Sequence, residues 1–293
     1  MGSNVVLSHS RDIPLLHFLW KWKVSSTAAL ILKFFPEIKS KSGYARLLIL
    51  RNAGIIRIHS DGHGRKFVCS LDRNGYEAIR ETLPLLKEDG FKSEQIGHDL
   101  LVSAFHLGEW LLAKPEAATL FSEQQLRRMH PEMYPDWVPT SEVHRPDGYT
   151  QTLLGDHLAT IAFEVEISNK RDSDYLKIAE FYEHYERIEK VLWLVPRQST
   201  AIKIQEKMNQ VLHGVPSPHN FVLLEDFANS GWYAEIYLGP DKGKTLISLL
   251  SGKVMEKYWN TPRLIHAHAL LDTRKSPFTS DSYRGYQLGD FRD

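Results

Sequence analysis

The spacing of apolar residues changes along the chain, and this change divides it into two parts. Up to about residue 50, apolar positions recur every three or four residues, which is typical of amphipathic helices. They predict helices over 12–22 and 25–35 and a third helix that begins at Ser40 or Ser42 and ends at Asn52-Ala53-Gly54, with the glycine in a C-terminal stop position.

A hairpin is predicted after the third helix. Two short apolar segments, 55–59 and 66–69, flank the segment 61–65, which contains two glycines. Glycine accepts the positive φ angles of tight turns, so the intervening segment favours a hairpin connection. An amphipathic helix over 73–88 then leads to a polar linker near residue 90.

From residue 98 onward, helical and strand-like segments alternate. The predicted order is helix 98–113, strands 144–149 and 159–168, helix 172–188, strand 190–195, helix 198–213 and strand 221–224, then a strand at 232–238 and either a strand or a helix at 244–251. Strands that alternate with helices predict an α/β fold, with a mixed sheet flanked by helices. We therefore expect one domain over residues 10–90 and a second over residues 91–293.

Composition narrows the class of protein. The 293 residues are 42% hydrophobic, which is enough for two cores, and contain no apolar run near the roughly 20 residues that cross a bilayer. The first residues lack a signal-peptide pattern, and Cys69 has no second cysteine with which to form a disulfide. These features predict a cytoplasmic protein without a membrane partner.

The net charge of zero conceals an uneven distribution. Residues 1–71 contain eleven Lys and Arg against three Asp and Glu, whereas the rest of the chain contains 25 against 33. The first quarter of the chain therefore carries a surplus of eight positive charges. Such a surplus predicts a module that binds a polyanion, although charges scattered over a solvated surface are the alternative.

Three helices followed by a hairpin are the order of a winged helix-turn-helix domain, and residues 10–90 resemble one. The resemblance implies binding of double-stranded DNA, with the third helix in the major groove. The residues expected to contact DNA are Lys39, Lys41 and Arg46 near the start of that helix and Arg65 and Lys66 at the wing. Many domains of this shape bind other proteins, so a protein-protein module is the alternative.

Most candidate functional residues of the second part lie between residues 145 and 177. Glu164 and Glu166 lie two positions apart in the apolar run 161–167, so they project from the same face of a predicted strand. Burying two carboxylates is costly unless a positive charge compensates them, and a divalent cation bound by carboxylate oxygens provides that charge. The pattern therefore predicts a site for Mg²⁺ or Mn²⁺.

Two more acidic residues accompany this pair. Asp147 precedes Glu164 by seventeen positions, and Glu109 follows His98 by eleven. At 100° per residue, Glu109 and His98 are about 20° apart around a helix and share one face. Structural roles are the alternative for all of them: a turn for Asp147, a solvated strand edge for the strand glutamates, and a helix end for Glu109 and His98.

A Pro-Asp pair, a spacer and an acidic residue two positions before a third polar group resemble the PD-(D/E)xK nucleases. The resemblance implies a restriction-endonuclease-like mixed sheet in which Asp147 and Glu164 bind the metal. A carboxylate on the first helix of such a fold, here Glu109, can complete the metal site. Glu166 stands where these enzymes carry a lysine, and it would add a third acidic ligand. Lys177 and Lys170 are the two candidates for the displaced lysine.

The motifs taken together resemble the replication-relaxation family, which includes the MobC-type relaxases. They are the winged helix, His98-Asp99-Leu100, Arg145-Pro146-Asp147, Phe163-Glu164-Val165-Glu166 and Lys177-Ile178 with Tyr182, all within about residues 10–215.

This resemblance implies a bacterial relaxase that nicks one DNA strand at the transfer origin of a conjugative or mobilisable element. It assigns metal-dependent phosphodiester cleavage to Asp147, Glu164 and Glu166, and contact with the reacting phosphate to Lys177. The bound ion would activate a water and stabilise the attacking and leaving oxygens. The implied partners are double-stranded DNA at a transfer or replication origin and a coupling protein or accessory transfer proteins.

Two other interpretations stay open. One is a relaxase chemistry with a histidine pair and a tyrosine nucleophile, for which the His-Ala-His segment 266–268 and the tyrosines of the helix 172–188 are candidates. Ala267 is a poor match to the bulky residue expected there, and a core or DNA-backbone role is favoured for the tyrosines. The other is a DNA-binding regulator or replication-initiation accessory protein with an inactive nuclease-like domain, which the missing lysine at position 166 favours.

Overall fold

The computed structural model describes residues 5–60, 66–211 and 217–251. Its first part contains the helices α1 (Asp12–Trp22), α2 (Thr27–Phe34), α3 (Ser40–Asn52) and α4 (Arg73–Ile79) and the strands β1 (Val24–Ser26), β2 (Ile56–Ser60) and β3 (Lys66–Leu71). The three strands form an antiparallel sheet in the order β1-β3-β2. The three predicted helices and both predicted hairpin strands are therefore present, and β1 is an additional strand of three residues.

Local signals account for the helix bounds in this part. The Ser26 side chain caps α2 by accepting a hydrogen bond of 3.0 Å from the Ala29 amide. Proline at position 36 follows α2 and disfavours further helix. The helix predicted over 73–88 is wrong in length: α4 ends at Ile79, and a single 3-10 turn, Arg80–Thr82, follows it before Pro84.

The second part is built around a five-stranded mixed sheet. Its strands are β4 (Thr119–Ser122), β5 (Gly148–Leu154), β6 (His157–Val165), β7 (Ile188–Val195) and β8 (His219–Leu223), and its helices are α5 (Ile96–Leu107), α6 (Glu123–Arg128), α7 (Asp172–His184), α8 (Gln198–Val211), α9 (Leu224–Ser230) and α10 (Leu246–Ser251). The strand order is β4-β5-β6-β7-β8, antiparallel from β4 to β6 and parallel from β6 to β8. The predicted mixed α/β sheet flanked by helices is confirmed.

Three predicted elements of this part differ from the structure. The strand predicted over 144–149 lies later in the chain, as β5 (Gly148–Leu154), so residues 144–147 precede it. The helix predicted over 98–113 ends at Leu107 because Gly108 has a φ of 41° and the Trp232 indole lies only 2.0 Å from where a Cβ on Gly108 would stand. The third difference is a 3-10 turn, Gly231–Tyr233, which replaces the first residues of the strand predicted over 232–238. The ambiguous segment 244–251 contains the helix α10.

The two parts share one hydrophobic core and several polar contacts. Lys21 Nζ donates a hydrogen bond of 2.6 Å to the Leu120 carbonyl, and Lys33 Nζ donates one of 2.6 Å to the Leu111 carbonyl. Part of the basic surplus of the first 71 residues is therefore used inside the protein. The proposed boundary at residue 90 stays a prediction.

Within the described ranges, none of the helices is long and apolar enough to cross a membrane. The His-Ala-His segment 266–268 and the turn 61–65 lie outside the described residues.

Candidate active site

The sheet brings the three predicted carboxylates to one end. Glu164 is the penultimate residue of β6, and Glu166 follows that strand, with its amide bonded to the Leu194 carbonyl of β7 at 2.9 Å. Asp147 immediately precedes β5, and its amide donates to the Phe163 carbonyl of β6 at 3.0 Å. Because β5 and β6 are antiparallel, the start of β5 lies beside the end of β6.

Asp147 is held by a main-chain hydrogen bond and faces a histidine. Its Oδ2 accepts from the Val165 amide at 2.7 Å, and its Oδ1 lies 3.6 Å from His98 Nε2. Burial raises the pKa of Asp147 to about 6, and the charge of Glu164 acts in the same direction, while His98 partly opposes both. The Asp147 carboxylate is therefore incompletely stabilised by its surroundings.

The Glu164 side chain is buried, at 3% exposure, and lies within hydrogen-bonding distance of two other side chains. Its Oε1 accepts from the Tyr182 hydroxyl of α7 at 2.5 Å and lies 2.6 Å from His144 Nε2. Burial alone would raise the pKa of Glu164, but the charge and hydrogen bond of His144 and the charge of Lys170 lower it below its usual value. Glu164 is thus an ionised carboxylate in the core.

Glu166 pairs with one of the two candidate lysines. Lys170 Nζ lies 2.7 Å from Glu166 Oε2, and Lys170 is 39% exposed at its side chain. Burial lowers the pKa of Lys170, but Glu164 and Glu166 outweigh it and raise that pKa overall. Lys177 is exposed on α7, where the neighbouring Ile178 is buried. Lys170, and not Lys177, contacts the acidic cluster formed by Asp147, Glu164 and Glu166.

His98 joins the cluster from α5. Its Nε2 donates to the Val165 carbonyl at 3.1 Å, and its Nδ1 lies 3.5 Å from Asp99 Oδ1. Burial lowers the pKa of His98, but Asp147 and Asp99 together raise it to about 9. His98 is therefore a cation beside Asp147 at neutral pH.

Glu109 lies at the other end of this helix from His98. It belongs to a 3-10 turn, Gly108–Leu111, that follows α5. Eleven residues along a helix correspond to about 16 Å, so two residues that share a face at this spacing are far apart. The Glu109 side chain is buried, and its role as a metal ligand stays a prediction.

One residue of the site was not singled out from the sequence, and another was given a different role. His144 precedes Asp147 by three positions, and its proximity to that motif is the signal that would have found it. The Tyr182 hydroxyl was assigned only a core or DNA-backbone role, yet it donates directly to Glu164. Two neighbouring tyrosine hydroxyls are also hydrogen-bonded. Tyr185, which follows α7, donates to the Thr140 carbonyl at 2.7 Å, and Tyr175 of α7 accepts from the Lys170 amide at 3.2 Å.

The donor chemistry of the acidic cluster suits a hard divalent cation, because all of its ligating atoms would be carboxylate oxygens. Among the described residues, however, no group of three or more His, Cys, Asp or Glu side chains is arranged to hold a metal ion. The carboxylates instead approach cationic or polar side chains of the protein, namely His98, His144, Lys170 and Tyr182. The predicted Mg²⁺ or Mn²⁺ site stays a prediction that rests on the acidic cluster.

The predicted DNA-contacting residues differ in their surroundings. Lys39 and Lys41 are exposed at the start of α3. Arg46 is turned inward, with its Nη2 2.5 Å from Asp12 Oδ2 and 2.8 Å from the Val6 carbonyl. Arg65 lies outside the described residues, and Lys66 is the first residue of β3.

Comparisons with known proteins give one weak structural similarity. No protein-family model and no curated protein sequence matches the chain. The restriction endonuclease FokI is similar over 74% of this chain and 42% of its own, with 10% sequence identity and a TM-score of 0.25. The chain thus spans less than half the length of FokI, and a similarity of this size does not establish a relationship.

Proposed function

We propose that the protein is a DNA-binding phosphodiesterase that cleaves DNA with the help of a divalent metal ion. The observation that supports this best is the acidic cluster of Asp147, Glu164 and Glu166 with Lys170 at one end of a mixed sheet. Buried carboxylates with a pKa as far from its usual value as that of Asp147 are concentrated at functional sites.

Each member of the cluster has a role in this proposal. Asp147, Glu164 and Glu166 hold Mg²⁺ or Mn²⁺, which supplies a Lewis acid and an activated water. Tyr182 and His144 fix the Glu164 carboxylate through its Oε1. Lys170, whose ammonium is partly exposed, contacts the phosphate that reacts. Lys170 therefore takes the role that the sequence assigned first to Lys177.

The N-terminal part binds the duplex in this proposal. The supporting observations are its helix order, its hairpin and the exposure of Lys39 and Lys41 at the start of α3. In this proposal Arg46, which pairs with Asp12, contributes to folding and is not one of the DNA contacts. The finer proposal, carried by the resemblance to the replication-relaxation family, is nicking of one strand at a transfer origin.

Nicking of supercoiled plasmid DNA in the presence of Mn²⁺ tests the proposal. The parent protein is expected to convert a plasmid that carries the cognate origin to the open circle, and Asp147→Asn is expected to leave it supercoiled. Asp156→Asn is the matched control, because Asp156 is exposed in the turn between β5 and β6. Equal nicking by the parent and Asp147→Asn would refute the proposed site.

DNA binding is tested separately by reversing the two exposed charges. Lys39→Glu combined with Lys41→Glu should weaken duplex binding and lower the slope of log affinity against log salt by about 2, one unit for each lost phosphate contact. Arg51→Glu on the same helix is the control for a general change in charge. An unchanged salt slope in the double variant would show that α3 is not the DNA-binding helix.

A second function is supported by a different observation. The carboxylates of the acidic cluster already face His98, His144 and Lys170, which compensate their charge without a metal ion. A DNA-binding regulator with an inactive nuclease-like domain accounts for this arrangement. Duplex binding by the parent protein without Mn²⁺ binding or nicking would favour the regulator.

A further inference from the structure

The end of α1 adopts a backbone conformation that its residue type disfavours. Lys23 has a φ of 61°, and no other non-glycine residue in the described part of the chain has a positive φ. Lysine rarely adopts this conformation because its Cβ crowds the neighbouring carbonyl. The Lys23 side chain is also largely buried, at 10% exposure. A strained and buried lysine at this position calls for a compensating interaction.

Two carboxylates supply that interaction. Lys23 Nζ lies 3.1 Å from Asp99 Oδ1 on α5 and forms an ion pair with Glu123 Oε2 on α6. Burial lowers the pKa of Lys23, but Asp99 and Glu123 outweigh it and raise that pKa overall. The Lys23 ammonium therefore connects α5 and α6 from the N-terminal part of the protein.

Both partners of Lys23 also support Asp147. Asp99 Oδ1 lies 3.5 Å from His98 Nδ1, and His98 Nε2 lies 3.6 Å from Asp147 Oδ1. The Glu123 amide donates a hydrogen bond of 3.0 Å to the Asp147 carbonyl. The contacts through Asp99 and His98 therefore reach the carboxylate of Asp147, and the contact of Glu123 reaches its main chain.

We propose that Lys23 is a positioning residue for Asp147, which couples the N-terminal part of the protein to the acidic cluster. This inference rests on the proposed function for its catalytic consequence, but not for the coupling itself. Lys23 touches neither DNA nor metal in this proposal and acts through Asp99, His98 and Glu123. Movement of α1 on DNA binding would then change the position of Asp147.

Two variants separate the charge of Lys23 from its backbone strain. Lys23→Met keeps the aliphatic stem and removes the ammonium, whereas Lys23→Gly removes the ammonium and accepts the positive φ without strain. Lys23→Arg restores the charge. Lys33→Met is the control, because Lys33 also joins the two parts, through the Leu111 carbonyl, and contacts neither support of Asp147. Circular dichroism establishes that each variant folds.

The first readout is independent of activity. The ¹⁵N shifts of the His98 imidazole, assigned with His98→Gln, are measured on the full chain at one pH without metal. We expect Lys23→Met and Lys23→Gly to move these shifts, Lys23→Arg to return them towards the parent values, and Lys33→Met to leave them in place. Unchanged His98 shifts in both folded Lys23 variants would overturn the inference.

The second readout is plasmid nicking with Mn²⁺. Loss of a residue that orients a metal ligand lowers activity by roughly 10- to 100-fold, and we expect that loss for Lys23→Met and Lys23→Gly but not for Lys33→Met. Parental nicking by both Lys23 variants would refute the positioning role. If the parent itself does not nick, the proposed function fails, and the His98 shifts alone decide whether Lys23 is coupled to the site.

Discussion

Asp147 and Asp241 are both largely shielded from solvent, but the neighbouring residues stabilise their negative charges to different extents. Asp241 is paired with two lysines, with Oδ2 2.5 Å from Lys190 Nζ and Oδ1 2.8 Å from Lys244 Nζ, and it accepts from Asn220 Nδ2 at 3.2 Å. Burial raises the pKa of Asp241, but Lys190 and Lys244 lower it overall. Asp147 has one main-chain donor and a histidine, and its pKa rises to about 6.

The difference separates a structural carboxylate from a functional one. Asp241 and its partners join β7, through Lys190, to β8, through Asn220, so its ionised form is part of the fold. Asp147 stands at the end of the sheet with a charge that its neighbours only partly stabilise. A carboxylate of this second kind retains affinity for a cation that the protein itself does not supply.

The largest effect expected from this comparison is on cleavage. Asp147→Asn removes a charged ligand from an ion that contributes several kcal/mol to the transition state, so nicking should fall by about 10³-fold. Asp241→Asn should retain the nicking rate of the parent when rates are expressed per folded molecule. A plasmid-nicking time course for both variants measures the contrast, and equal loss in the two would remove the distinction.

Lys170 at the acidic cluster and Lys190 beside Asp241 should differ in the same way, one affecting cleavage and the other stability. Lys170→Met should lower nicking by about 10²-fold, as expected for loss of one electrostatic contact with a transition state, and should leave Mn²⁺ binding in place. Lys190→Met should instead lower the free energy of unfolding and keep nicking. Single-turnover nicking and urea unfolding distinguish them; full nicking by Lys170→Met would return the role to Lys177 or to a mechanism without lysine.

The two substitutions should rank in the opposite order when the free energy of unfolding, and not cleavage, is measured. Asp241→Asn weakens charge-assisted hydrogen bonds to a mostly buried group, which should cost about 2 kcal/mol of the free energy of unfolding. Asp147→Asn removes a poorly stabilised charge and should cost less, or stabilise the protein. Urea unfolding at neutral pH without metal gives both values. A larger loss for Asp147→Asn would indicate that Asp147 is the structural residue.

The smallest effect is a pH dependence of opposite sign. The folded pKa of Asp147, about 6, exceeds its usual 3.8, so its contribution to stability is present below pH 3.8 and is lost as the pH rises to about 6. The folded pKa of Asp241 lies below 3.8, so its contribution is present above pH 3.8 and is lost as the pH falls through that lowered pKa.

Unfolding curves of the parent and the two variants between pH 3 and 7 provide the measurement. Relative to the parent, Asp147→Asn should become more favourable as the pH rises, and Asp241→Asn should become less favourable. The same trend in both variants would contradict the assignment of different environments to the two aspartates.

The burial of the acidic residues could be predicted from their sequence neighbours. Glu164 and Glu166 lie within an apolar run, and the structure buries both side chains. The partners that compensate them could not be predicted in the same way. Lys170 lies in the loop between β6 and α7, where no periodicity fixes the direction of a side chain, and His144 lies before β5 in a similar loop.

Two other features of the structure could not be predicted from local sequence patterns. The helical period gives the angle between Glu109 and His98 but not their separation. The helix ends at Leu107 because Trp232, more than 100 residues later, packs against Gly108. Arg46 has the position expected of a DNA-contacting residue, but Asp12 on α1 attracts it inward. Both outcomes depend on contacts between residues that are distant in the sequence.

Calorimetric titration of the parent protein and Asp147→Asn with Mn²⁺ tests the central claim most directly. The parent should bind the ion at the acidic cluster, and Asp147→Asn should bind it at least about tenfold more weakly, since the lost ligand is charged. Asp241→Asn should bind it as the parent does. No binding by the parent, or equal binding by Asp147→Asn, would contradict the claim that Asp147, Glu164 and Glu166 form a metal site.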